Sequence, residues 1–322
     1  MCNEARRQPV GISGVAYRLP AVRQTVEELD RAGRTSSQAG VLRDFGFEYC
    51  HMCPPGTGLG DLLVESGKEA LERAGTRPEG LDRAFLYSGL DIDAVGAAST
   101  GGDPLGLFRY PSARVHHLLG LGQTPVMGLR ERGCSGLLSA VDMASQLLQT
   151  SDKEAILCLA GDALPPGSPR EIMYNLMSDA AGALVIQRGG ARNRILAFHE
   201  KVQTYYWDTP LHEQELLAAY FPMAQRVITE CLQQAGLDVC DLAWFVPHNV
   251  SLRSWHILAK LLSIPIEKVW TANIARVGHT VSCDHIINLA DMEAQGALSP
   301  GDHLALFTFG FGASWSCMVV KH

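Results

Sequence analysis

What this sequence lacks narrows it first. Its 322 residues carry no basic excess: 27 Lys plus Arg stand against 34 Asp plus Glu, a formal net charge of −7. Binding nucleic acid through its phosphates needs positive charge to displace counterions, so with no basic run present no nucleic-acid partner is expected. No uninterrupted apolar stretch approaches the roughly 18 residues of a membrane helix. The opening, Met1 to Val10, is polar and has no signal-peptide core. The nine cysteines are odd in number and irregular in spacing, which argues against a disulfide framework. These absences lead to an expectation of a cytoplasmic protein with reduced thiols and no membrane partner. What is present is apolar surface. Hydrophobic residues make up 47% and charged residues 19%, which excludes a disordered chain.

Similar segments recur half a chain apart. Ala74-Gly75 and Ala235-Gly236 each close a helical pattern, and each is followed by a short loop and an apolar strand, Leu81 to Tyr87 and Leu242 to Pro247. Glycine just past a last helical turn supplies a left-handed cap. A second pair follows. Gly133-Cys134 opens a helix with apolar Leu137, Val141, Ala144 and Leu148, then a turn and the strand Ala155 to Ala160. Gly278-His279 precedes a helical stretch over Ile286 to Ala297, a turn at Ser299 to Asp302 and the strand Leu304 to Phe309. This order predicts an α/β fold with a mainly parallel sheet, built as two duplicated halves, 1–190 and 191–322.

In that duplication Cys134 and His279 correspond, and His248 ends a strand equivalent to the one ending at Tyr87-Ser88. Ligand sites of α/β folds gather at the carboxyl ends of strands and at helix N-termini. A thiol at a helix N-terminus meets the positive end of the helix dipole, and free N–H groups there can receive an oxyanion. The plainer alternative for Cys134 is a buried structural cysteine. For His248 it is a strand-end histidine bonded to backbone, and for His279 a loop histidine. Phe307 to Trp315 reads as strand, glycine turn and strand. It is either a simple hairpin or one that presents a backbone amide to the site.

Taken in order, these motifs resemble the thiolase-fold condensing enzymes of the ketoacyl-acyl-carrier-protein synthase III branch. Val10 to Pro20 is similar to that family's first strand and Leu-Pro turn. Gly133-Cys134-Ser135-Gly136 matches its nucleophile turn, Ser178 to Ala183 its Gly-Asp-Gly-Ala-Gly-Ala strand entry, and Pro247-His248-Asn249 its Pro-His-Gln motif. Gly278-His279-Thr280 stands where the family has Gly-Asn-Thr. The resemblance implies a layered α-β-α-β-α thiolase-like fold and a thioester-dependent acyltransferase. Cys134 would accept the acyl group, with His248 and His279 serving the second half-reaction. The amides of Cys134 and Phe311 would form the oxyanion hole, and Asn249, Gly310 and Gly312 would bind substrate. It implies no permanently bound cofactor and no metal. Acyl-CoA or an acyl-carrier-protein phosphopantetheine thioester would be donor, a second acceptor substrate would follow, and the chain would form a homodimer.

The departures matter as much. With His279 replacing asparagine, a Cys-His-His set suits decarboxylative Claisen condensation in specialised, polyketide-like or fatty-acid-like metabolism. Non-decarboxylating transfer to an oxygen, nitrogen or sulfur acceptor is the alternative, and a non-catalytic partner subunit a second. Asp284 either orients an imidazole or is an ordinary solvated helix-start acid. Asp44 to Tyr49 stands in place of an arginine-rich run that helps hold coenzyme A, which favours a carrier-protein donor. Docking would then need a local patch at Arg192, Arg194 or Arg253. The stretch from Phe198 to Pro222 is shorter than the family connection and is expected to reshape the pocket. Cys50-His51-Met52-Cys53 makes half a zinc site, for which Cys283 and His285 are the nearest substitutes for the missing half.

Overall fold

Glycine caps end the paired helices as their positions predict. A computed structural model describes residues 8–54, 58–90 and 109–322; of the polar opening segment, the first seven residues lie outside these. The first half runs β1 (Val10–Arg18), β2 (Val22–Thr25), α1 (Val26–Arg31), α2 (Ala39–Asp44), β3 (Tyr49–Met52), α3 (Leu59–Ala74), β4 (Leu81–Tyr87), α4 (Pro111–Leu119) and β5 (Val126–Leu129). It continues with α5 (Gly136–Leu148), β6 (Ala155–Asp162), β7 (Glu171–Ile172), β8 (Asn175–Leu176) and β9 (Ala180–Arg188). The second half runs β10 (Arg194–Val202), α6 (Glu213–Gln234), β11 (Leu242–Pro247), α7 (Leu252–Leu262), α8 (Ala272–Val277), α9 (Asp284–Ala294), β12 (His303–Gly310) and β13 (Ser314–Lys321). Gly75 and Gly236 take φ of +62° and +70° after α3 and α6. The following amides close the same turn in both places, Thr76 N–H to Leu71 O and Leu237 N–H to Leu232 O, each at 3.0 Å.

Strand pairing repeats as well. In the first half β4 and β6 run parallel, while β6–β9 and β9–β1 are antiparallel. In the second half β11 and β12 run parallel, while β12–β13 and β13–β10 are antiparallel. The two five- and four-stranded sheets touch through β1 and β10 at one register pair, Gly11 with Arg194. In the nine-stranded order the strands up to Arg188 are contiguous, and so are those from Arg194.

Between the sheets lie α5 and α9, and their burial explains their composition. Every residue of α9 from Asp284 to Leu289 is buried, and α5 seals Leu137, Leu138, Val141, Ala144 and Leu148. A helix apolar on all sides belongs in such a central layer. The core there joins Leu138 and Val141 to Ile286 and Ile287 across the duplication. α3 packs on the outer face of the first sheet, and α6 on that of the second. The result is the expected layering of helices and sheets, α-β-α-β-α. The large sheet is not mainly parallel, as the element order predicted: five of its described strand pairings are antiparallel and three parallel. The reason is that β9 and β1, and likewise β13 and β10, return alongside the parallel strands. The last helix differs from expectation. It starts at Asp284 and stops at Ala294, because Gly296 at φ +63° ends it three residues early.

Close packing of β1 on α3 supplies one prediction. A Cβ added at Gly14 would sit 2.1 Å from the backbone oxygen of Ala70. Gly14→Ala must therefore force the helix off the sheet, at a cost of about 1–3 kcal/mol. In urea its midpoint should fall with the slope unchanged; a wild-type midpoint would show that α3 is not seated there.

No helix among the described residues is long and apolar enough to cross a membrane.

Candidate active site

The nucleophile turn is made by glycines. Gly133 takes φ of +50°, and a Cβ there would meet the amide nitrogen of Phe311 at 2.8 Å. A Cβ on Gly310 would lie 2.2 Å from Arg132 O. Only glycine at both places lets the Cys134 turn and the β12–β13 hairpin come this close. The amide of Phe311 is thereby brought beside the turn that carries the sulfur. Thr308 Oγ1 donates to Cys134 O at 3.2 Å, and the Tyr87 hydroxyl donates to Gly133 O.

His279 arrives from the other half. Gly278, at φ +77°, lies against Leu176 O, where a Cβ would stand 2.9 Å away. The His279 amide donates to Leu176 O and its carbonyl accepts from Ser178 N–H, both at 2.8 Å. This two-bond clasp fixes the loop on the first half. The ring then spans two partners: Nε2 lies 3.1 Å from Cys134 Sγ, and Nδ1 lies 2.6 Å from Asp284 Oδ2.

Asp284 is not a solvated helix-start acid. It is 1% exposed, and its oxygens accept from Thr280 N–H at 2.7 Å, Thr280 Oγ1 at 2.6 Å and Asn249 N–H at 2.6 Å. Burial works against its charge, but the His279 charge and these bonds prevail and hold its pKa down at about 2. Burial likewise opposes a charged His279. The Asp284 charge, the sulfur and the two hydrogen bonds outweigh it, and the pKa stands well above 6.5. A carboxylate on Nδ1 also fixes the tautomer. Neutral His279 keeps its proton on Nδ1 and turns a bare Nε2 toward the sulfur.

His248 follows β11, with its amide donating to Phe307 O at 3.2 Å and its carbonyl held by Trp255 Nε1–H at 3.0 Å. Its ring centre lies 5.9 Å from that of His279, nearly perpendicular to it. Burial, and then the His279 charge, push its pKa well below 6.5, so it stays neutral. Nε2 meets the Tyr220 hydroxyl at 3.2 Å, while Nδ1 has no partner among the described residues. Cys134, His248, His279, Tyr220 and Phe311 share one mostly apolar cavity of about 360 Å³.

Three expected substrate contacts land elsewhere. Asn249 is fully buried behind the site. It gives its amide to Asp284, and its side chain accepts from Asn288 Nδ2 at 3.0 Å. Its place is to hold Asp284. Gly310 and Gly312 do not line the cavity. Gly310 packs against Arg132 and Gly312, at φ +84°, turns the hairpin, so both aim Phe311.

The docking patch also divides. Arg253 lines the cavity mouth. Arg194 pairs with Lys321 at one end of β10, whereas the site lies past the other end, where Val202 pairs with Ser314. Eight residues at about 3.3 Å each put Arg192 and Arg194 roughly 25 Å from the hairpin. From Asp44 to Tyr49 the cavity receives Phe45, packed at a tilt against Tyr174 with ring centres 5.5 Å apart. Within Phe198 to Pro222, the residues through Val202 are strand and those from Glu213 are α6. The wall therefore comes from the helix itself, through Leu216, Leu217, Tyr220 and Phe221.

Cys50 of the half zinc motif and the proposed substitutes Cys283 and His285 bond elsewhere. Cys50 Sγ donates to Met177 O at 3.0 Å, and Cys283 Sγ to Ala160 O at 3.2 Å. His285 Nε2 meets Phe307 O at 3.1 Å. Among the described residues no cluster of three such ligands forms.

Two supporting groups had no signal in the sequence. Asp162, at the end of β6, is buried and takes bonds from Ser88 Oγ at 2.7 Å, Leu90 N–H at 3.0 Å and Ser282 Oγ, tying the halves behind the sulfur. Tyr220 falls within the stretch from Phe198 to Pro222, which the sequence offered only as a connection.

Known proteins agree with this architecture. Residues 130–203 match the 3-oxoacyl-[acyl-carrier-protein] synthase III family and residues 232–322 its C-terminal family. A beta-ketoacyl-[acyl-carrier-protein] synthase III of Streptomyces coelicolor is 28% identical over 96% of this chain and 92% of its own. That of Synechocystis is 26% identical over 92% and 93%. Among solved structures ChlB3, called an acyltransferase, superposes with a TM-score of 0.84 at 21% identity, covering 97% of each chain.

Proposed function

Because this chain belongs to the ketoacyl-acyl-carrier-protein synthase III-like family of thiolase-fold acyltransferases, we propose that it loads an acyl group on Cys134 and passes it to a protic acceptor. The donor is a phosphopantetheine thioester, of coenzyme A or of a carrier protein. The thiolate of Cys134 attacks the thioester carbon and a new C–S bond forms. The oxyanion faces the Cys134 and Phe311 amides. The old C–S bond then breaks, and the departing sulfur takes the proton from His279 Nε2. His279, now neutral, removes the proton of an incoming hydroxyl, amine or thiol. That atom attacks the acyl carbon, and Cys134 leaves as thiolate beside the imidazolium.

The carrying observation is Asp284 on Nδ1 of His279. An asparagine there would offer an N–H to an enolate. A neutral histidine held by a carboxylate offers a lone pair, which is a base. Decarboxylative condensation is the second reading: His248 is a neutral imidazole across the cavity, and its N–H would serve an enolate oxygen wherever no other group engages it. Acylated enzyme should yield product with an alcohol, amine or thiol panel. Carbon dioxide release from malonyl carrier protein, with no product from that panel, would overturn the first reading in favour of the second. A catalytic role predicts an acyl adduct in the intact-protein mass, whereas a mere partner subunit would remain unmodified across donors. A homodimer through the edge strand β5 is part of the proposal, and a monomeric sedimentation coefficient would remove it.

A further inference from the structure

Tyr220 stands where nothing in the sequence marked a functional residue. It lies on α6, two positions before Pro222, and its ring packs edge-on against Phe221 and Phe309 at 4.9 and 5.3 Å. The ring is therefore held, and its hydroxyl meets Nε2 of His248 at 3.2 Å inside the cavity. Nδ1 of His248 is buried with no partner among the described residues. A proton placed on Nδ1 would be a stranded donor, so the ring does better with its proton on Nε2, given to the Tyr220 oxygen. The single N–H that His248 could offer an enolate is then already engaged. The phenol keeps its own O–H free to donate into the cavity. It stays protonated, since burial and then the nearby Cys134 charge raise its pKa.

We propose that Tyr220 is a specificity-determining residue that acts through His248. By occupying the imidazole N–H it disfavours malonyl-type decarboxylation, and it leaves a hydroxyl as the donor toward a protic acceptor. In condensation the malonyl carboxylate departs as carbon dioxide and its bonding pair becomes the enolate. The enolate carbon attacks the acyl carbon, a C–C bond forms, and the Cys134 C–S bond breaks with its pair on sulfur. That route needs a free donor at the enolate oxygen. Transfer to a hydroxyl or amine does not, because His279 takes the proton.

This inference rests on the acyl-enzyme reading, and the experiment separates the two. Wild type is acylated first, and the adduct on Cys134 is checked by intact mass. The acyl-enzyme is then offered malonyl carrier protein and a small amine together. The readout is the ratio of carbon dioxide released with ketoacyl product to acylamide formed. In Tyr220→Phe that ratio should rise at least tenfold, and adding His248→Ala should abolish the gain. Tyr220→Met, which fills the same space without a hydroxyl, is the second variant should the first not fold, and it should move the ratio the same way. A ratio that rises less than tenfold or not at all makes Tyr220 a packing residue and ends the proposal. An equal fall of both products has the same meaning. Absence of any adduct on wild-type Cys134 would instead fail the acyl-enzyme reading beneath it.

Discussion

Cys134→Ala should abolish the covalent adduct and lower acyl transfer by a factor on the order of 10⁴ or more. The expectation follows from position. The sulfur sits 3.1 Å from His279 Nε2, on a residue 8% exposed at the mouth of α5 and on the wall of the cavity. No other described cysteine shares that cavity. Alanine removes the one thiol that lines the cavity among the described residues and leaves the glycine turns untouched. Incubation with acyl thioesters followed by intact mass decides the matter: a shift equal to the acyl group in wild type and none in the variant. An adduct that persisted in Cys134→Ala would place the nucleophile elsewhere and remove the mechanism.

Asp284→Asn should cost transfer a factor on the order of 10²–10⁴, as expected when a carboxylate that fixes a catalytic tautomer becomes an amide. The amide NH₂ would donate to Nδ1 and move the ring proton to Nε2, so the base would face the acceptor already protonated. The pH dependence shifts with it. In wild type, neutral His279 accumulates only as pH rises past its raised pKa. Removing the Asp284 charge deletes the largest influence that raises it and leaves burial, which lowers it. The rising limb of the transfer rate should therefore move to lower pH in the variant. A limb at the wild-type position would show that Asp284 does not govern His279.

Stability carries the same signature. The depressed Asp284 pKa contributes stability that is complete above 3.8 and lost as pH falls toward about 2. The raised His279 pKa contributes stability that is complete below 6.5 and lost as pH climbs through the raised value. Both are present in full between those limits. Denaturant midpoints across that range should show a plateau in wild type that Asp284→Asn lowers and flattens. Equal curves would mean that the pair contributes nothing to folding.

Turns were legible because glycine announces them. Gly133, Gly278 and Gly310 mark close backbone approaches, and the residues beside them, Cys134, His279 and Phe311, come together in the cavity. Asn249 stands behind the site, where the sequence suggested a substrate contact, because a polar residue beside a site histidine can face either way and local sequence is the same for both. Asp284 posed a similar problem. An acid at a helix start is ordinary, and its burial depends on α9 lying between two sheets. Tyr220 gave no signal at all, since its stretch read only as a connection, and its meeting with His248 depends on where α6 packs. Arg192 and Arg194 stood as alternatives to Arg253 for a docking patch only while strand direction was unknown.

By itself the sequence determined the alternation of helices and strands, its duplication, and the turns that carry a thiol and two imidazoles. These are local properties, written in hydrophobic period and in the conformations glycine alone accepts. Only the tertiary structure decided that His279 faces the sulfur while His248 faces a phenol, and that a carboxylate stands behind the first alone. Cys134 and His279 are 145 residues apart in the chain. Their separation in space is set by two sheets closing over α5 and α9, and no local pattern encodes that distance.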